Sequence, residues 1–87
     1  MVIWKYELAI TDMQELSMPE GAELLSVADQ SGKLCLWAMV DPKKETRRRF
    51  IEIIGTGNPI PTDMGIDRKF IGTVVLGLFV WHVFERR

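Results

Sequence analysis

Val2, Trp4, Tyr6 and Leu8 alternate with Ile3, Lys5 and Glu7, so the opening residues put large apolar side chains on one face of an extended segment and both charges on the other. That pattern predicts a half-buried strand. Thr11-Asp12 supplies turn chemistry, Met13 to Met18 reads as a second, weaker strand, and Pro19-Glu20-Gly21 ends it in a tight turn. Ala22 to Ala28 alternates again, and Asp29-Gln30-Ser31-Gly32 turns the chain into Leu34 to Val40, which predicts a hairpin. Asp41-Pro42-Lys43-Lys44 closes that strand, because proline lacks the N–H a central ladder needs. Thr46 to Ile54 follows as a strand. The stretch from Gly55 to Gly65 holds three glycines and two prolines, too many interruptions for a regular element. It reads as the longest loop, with at most one short helical turn in the 56–68 stretch. Phe70 to Leu76 and Leu78 to Glu85 are two further strands hinged at Gly77. No segment sustains apolar residues at i, i+3, i+4 and i+7. The fold expected over residues 1–87 is one all-β domain of about seven antiparallel strands, in a meander, a small barrel or a sandwich.

Leu34-Cys35-Leu36-Trp37-Ala38-Met39-Val40 is apolar at every position, and Val74 to Phe84 is nearly so. Strands that avoid water on both faces are normally sandwiched between layers, and here no helix is available as a second cover. The expectation is self-association through Trp37, Met39, Phe79 and Trp81; the alternatives are that the long loop folds over these residues or that they are scattered and harmless.

At 87 residues the chain suits a single core, since two would each bury too little apolar surface. A net charge of −1, from 11 basic and 12 acidic side chains, gives no general field for a phosphate backbone, so a nucleic-acid partner is not expected. Cys35 is the single thiol, which rules out an intramolecular disulfide. The start Met1-Val2-Ile3-Trp4-Lys5 lacks the features of an export signal, so the cytosol is the expected compartment. Ile71 to Phe84 is shorter than the roughly 20 residues a membrane helix needs, and no membrane association is expected.

Candidate chemistry is sparse. His82 and Cys35 are the only histidine and cysteine, too few for the usual zinc site, so no metal is expected. No two carboxylates can be brought together from spacing, and no serine sits in a nucleophile elbow. The chain is read as non-enzymatic, with no catalytic residue and no cofactor. Gly55-Thr56-Gly57 could line an anion-binding concavity with backbone N–H groups, or simply let a strand turn out of its sheet. Lys43-Lys44-Glu45-Thr46-Arg47-Arg48-Arg49 is the one basic cluster; it is either a solvated strand end or a grip on a phosphate or carboxylate. The binding reading joins Arg47, Arg48 and Arg49 with Gly55, Thr56 and Gly57 and with stacking on Trp37 or Trp81. Its ligand would be small, anionic and nucleotide-like, held by a homo-oligomer.

Trp4-Lys5-Tyr6-Glu7-Leu8, Met18-Pro19-Glu20-Gly21-Ala22, Cys35-Leu36-Trp37-Ala38-Met39-Val40-Asp41-Pro42, Gly55-Thr56-Gly57-Asn58-Pro59-Ile60 and Ile71-Gly72-Thr73 together resemble a family of small phage and prophage proteins grouped as a domain of unknown function. Val80, His82, Val83 and Phe84 are similar to that family's ending, although the hinge at Gly77 is shorter here. The resemblance implies a phage-encoded accessory protein in the host bacterial cytosol. By analogy, such a protein would sequester a host immune signal; the alternatives are an interaction module that inhibits or docks onto a host or phage protein, and a minor virion component.

Overall fold

The computed structural model describes residues 1–62 and 66–87 and contains seven strands: β1 Val2–Glu7, β2 Met13–Pro19, β3 Glu23–Gln30, β4 Lys33–Val40, β5 Thr46–Gly55, β6 Arg68–Leu76 and β7 Phe79–Arg86. Each alternating segment of the sequence is a strand, and no helix occurs among the described residues. The part of the 56–68 stretch that is described holds turns and irregular chain up to β6; residues 63–65, where a helical turn was also allowed, lie outside the described residues.

All pairings are antiparallel, in two sheets ordered β1-β4-β3 and β2-β5-β7-β6. The sheets pack in a sandwich-like arrangement and do not close into a barrel. Two hairpins follow from their turn residues. Ser31 and Gly32 both have positive φ, 53° and 81°, which is the type I′ geometry that matches strand twist. Asp29 Oδ1 accepts the Gly32 N–H at 2.8 Å and holds that turn. At Gly77 φ is 61° while Leu78 stays in the ordinary region, the pattern of a type II′ turn between β6 and β7.

Leu24, Leu34, Leu36, Ala38 and Val40 from one sheet meet Met18, Ile51, Ile53, Val74 and Val83 from the other in the core. Each fully buried aliphatic side chain here contributes about 1.5–3 kcal/mol relative to exposure. β3 and β6 carry irregular registers, at Leu24/Ser26 and at Phe70/Gly72. The two strands approach there so closely that a Cβ on Gly72 would sit 2.8 Å from Val27 Cγ2.

The outer faces find cover within the chain. On the β1-β4-β3 sheet, Cys35 is only 2% exposed although it points away from the core. Long polar side chains surround it: Lys33 Nζ bonds Glu7 Oε1 at 2.9 Å and Lys5 Nζ bonds Gln30 Oε1 at 2.6 Å. On the other sheet, the segment after β5 lies against the outer face: Ile60 shares a cleft with Ile54, His82 and Phe84, and Pro59 and Pro61 share another with Glu52 and Ile54. The long loop therefore supplies part of the missing layer.

Candidate functional site

The basic cluster occupies the start of β5, where alternation sends Arg47 and Arg49 to the core side and Arg48 outward. Arg49 is the most enclosed of the three. Its Nε and Nη2 make a bidentate pair with Glu85, the Nη2–Oε1 bond being 3.1 Å, and its Nη1 donates to the Ala22 carbonyl at 2.9 Å. Glu85 is 3% exposed, so this pair ties β5 and β7 to the start of β3 from within. Arg47 lies 3.1 Å from Glu45 and 3.7 Å from Glu20, and Arg48 lies 3.8 Å from Glu15, all at the surface.

Gly55, Thr56 and Gly57 stand at the opposite end of β5, roughly 25 Å from Arg47 at a rise of about 3.3 Å per residue. Two amides of this turn are already engaged: Thr56 N–H donates to Val80 O at 3.1 Å and Asn58 N–H to Gly55 O at 3.0 Å. Gly55 pairs with Trp81 across β5 and β7, and a Cβ there would meet the indole at 3.1 Å and Asn58 Nδ2 at 2.8 Å. The glycine makes room for the ring. Gly55, Thr56, Asn58, Val80 and Trp81 line a cleft of about 400 Å³ whose rim is Leu78 and Phe79. The Phe79 and Trp81 ring centroids are 5.8 Å apart, so the cleft has an aromatic wall.

Of the residues the sequence nominated for a ligand, Gly55, Thr56 and Trp81 come together in this cleft, and Gly57 lines the neighbouring one with His82. Arg47, Arg48 and Arg49 are not brought to it. Trp37 is half-buried on the outer face of the other sheet beside Lys5 and Ser26. Among the nominated contact residues, Trp37 and Met39 belong to that outer face, whereas Phe79 and Trp81 lie on the core-facing side of β7, so the four form two separate patches.

His82 is held at both ring nitrogens, with Nε2 2.7 Å from Thr56 Oγ1 and Nδ1 2.9 Å from Thr73 Oγ1. That arrangement fixes the imidazole as a bridge between β6, β7 and the turn after β5. Among the described residues, no three of His, Cys, Asp and Glu gather as metal ligands would.

The sequence reading missed two buried carboxylates. Glu85 is one; the other is Glu52, 4% exposed, which accepts from Arg68 Nε at 2.5 Å and from Arg68 Nη2 at 3.4 Å and has Arg86 Nε at 3.7 Å. A signal existed: each is a lone acid inside an apolar strand, and a buried acid calls for an arginine. Phe79 was nominated from the sequence as a contact, but the other open apolar positions were not foreseen. Leu78 is 97% exposed at the β6–β7 tip beside Phe79 at 64%, Val75 is 65% exposed on the opposite face of that hairpin, and Val2, Ile3 and Trp4 of β1 are 43%, 60% and 42% exposed.

No helix among the described residues is long and apolar enough to cross a membrane. Neither a curated protein nor a solved structure matches the chain. A family model does, over residues 1–87, and the chain belongs to the family described as Domain of unknown function (DUF7352).

Proposed function

We propose that this protein is a non-enzymatic interaction module that engages a protein partner through the β6–β7 tip and the cleft beneath it. The observation that carries the reading is the exposure of Leu78 and Phe79 around a cleft walled by Trp81. A tight turn that displays a bare leucine beside an aromatic pocket matches the anchor-and-pocket anatomy of protein interfaces. The cations favour the same reading, because Arg47, Arg48 and Arg49 already face carboxylates and none reaches the cleft. In the setting the sequence blocks suggest, the module is a phage accessory protein acting on a host or phage protein in the bacterial cytosol.

A second reading keeps the small ligand: Gly55, Thr56 and Trp81 do converge, so a planar nucleotide-like molecule could stack on the aromatic wall with Thr56 and Asn58 as polar contacts. One paired experiment separates the two. Lysate capture at high salt is run with the wild type and with Leu78→Asp/Phe79→Asp, beside calorimetry with cyclic nucleotides and ADP-ribose derivatives. The module reading expects a stoichiometric protein partner that the variant loses, and no heat from the nucleotides. Nucleotide binding that Asn58→Ala abolishes and Arg47→Ala/Arg48→Ala leaves intact, with no captured protein partner, overturns it.

A further inference from the structure

β1 is an edge strand whose free side can be read residue by residue. Leu8 donates its N–H to Leu34 O at 2.8 Å, and from that pair the antiparallel alternation makes Tyr6/Leu36, Trp4/Ala38 and Val2/Val40 the hydrogen-bonded pairs with β4. The β3–β4 turn gives the same assignment, since its flanking pair Gln30/Lys33 commits the odd-numbered residues of β4 to β3 and leaves the even-numbered ones for β1. The N–H and C=O groups of Ile3, Lys5 and Glu7 therefore point outward along the free edge.

Edges are ordinarily guarded. β2, one of the two edges of the other sheet, carries Gln14, Glu15 and Pro19. The first half of β1 has no such guard: Val2, Ile3 and Trp4 are consecutive, apolar and exposed on both faces. We propose that two copies of this chain pair antiparallel through β1, joining their three-stranded sheets into one six-stranded sheet across a two-fold axis.

The charges choose the register. Outward residues must face outward residues, so only two symmetric registers pair five residues of Val2–Glu7 on each copy: one centred on Lys5, one centred on Trp4. The first sets Lys5 directly opposite Lys5 of the second copy, where like charges repel. The second sets Trp4 opposite Trp4, Val2 opposite Tyr6 and Ile3 opposite Lys5. It puts an aromatic pair on the axis, flanks it with β-branched–aromatic pairs, and gives the backbone of Ile3 and Lys5 its missing partners. This interface is distinct from the tip and cleft, and both can operate in one assembly.

The test uses the full chain, light scattering and substitutions chosen to spare the fold. The wild type at micromolar concentrations and above should weigh about 20 kDa, twice the 10.0 kDa chain. Ile3→Pro removes an N–H that points only to the free edge, a tolerated place for proline. It should keep the wild-type circular dichroism and halve the mass. Trp4→Cys should give a disulfide-linked dimer on mild oxidation, because the axis brings the two positions to bridging distance while Cys35 stays buried. A wild type that remains at the chain mass into the hundreds of micromolar, or an Ile3→Pro variant that stays dimeric, overturns the proposal.

Discussion

Replacing Arg49 by methionine tests whether the arginine cluster is structural. The substitution keeps the side-chain stem and deletes the guanidinium, which takes from Glu85, 3% exposed, its bidentate partner, leaves Arg87 Nε at 3.7 Å, and removes the donor to Ala22 O. Stripping the partner from a buried carboxylate costs about 3–5 kcal/mol. A chain of 87 residues has about 4–13 kcal/mol in total, at roughly 0.05–0.15 kcal/mol per residue, so Arg49→Met should lose about a quarter of its stability or more. Glu85→Leu alone strands an arginine that is still 20% exposed and reaches water, and should cost less, about 1–3 kcal/mol. Combining the two leaves no uncompensated charge, so the double variant should lose less than the two single losses added together, with a coupling of about 2–3 kcal/mol. Urea unfolding of the wild type, both single variants and the double variant completes the cycle. Additive losses, or an Arg49→Met variant within about 1 kcal/mol of wild type, would refute the reasoning and return Arg49 to the pool of ligand-binding candidates.

The Tyr6 hydroxyl is buried and has no hydrogen-bond partner among the described residues, so Tyr6→Phe should raise stability by about 1–2 kcal/mol in urea unfolding; a loss would mean the hydroxyl is satisfied. Burial also pushes the Tyr6 phenol above its ordinary value. The folded state then resists ionisation that the unfolded chain accepts, so stability present below the ordinary tyrosine pKa of about 10 falls as pH rises through it. Tyr6 is the sole tyrosine, so Tyr6→Phe should flatten that part of the profile. Gly72→Ala should cost about 1–3 kcal/mol, read as a lower melting temperature, because its Cβ would press on Val27 Cγ2 at 2.8 Å across the two sheets. Ser31 holds φ 53° ahead of Gly32; Ser31→Asn, better suited to a type I′ turn, should gain about 0.5–1 kcal/mol by the same measurement.

The strands were legible because each has either a period-2 pattern or a short, continuous apolar run, bounded by its own turn residues. Ser31-Gly32 and Gly77 marked their hairpins, and the boundaries around Leu34–Val40 and Thr46–Ile54 needed only proline, charge and glycine. Sheet membership was not legible. Alternation says which face of a strand is apolar, and nothing in Met13 to Pro19 says that this strand pairs with Thr46–Gly55 and leaves the sheet of its neighbours. The candidate site was half legible for the same reason. Gly55, Thr56 and Trp81 meet because Gly55 pairs with Trp81 across β5 and β7, a long-range register the sequence does not print. Arg47 to Arg49 looked like a ligand grip because their partners Glu15, Glu20 and Glu85 are remote in sequence or in different turns. The need for extra cover over the two-faced strands was sound physics, and the chain meets part of it with the Ile60 segment and with the Lys5, Glu7 and Lys33 side chains above Cys35.

Amide hydrogen exchange along β1, resolved by residue and followed from dilute to concentrated protein, tests the account most directly. In dilute solution the amides of Trp4, Tyr6 and Leu8 should be protected and those of Ile3, Lys5 and Glu7 should exchange freely. On concentration, Ile3 and Lys5 should gain protection while the even-numbered amides stay as they were. Odd-numbered amides protected at every dilution would contradict the strand register, and odd-numbered amides that never gain protection would contradict the paired edge.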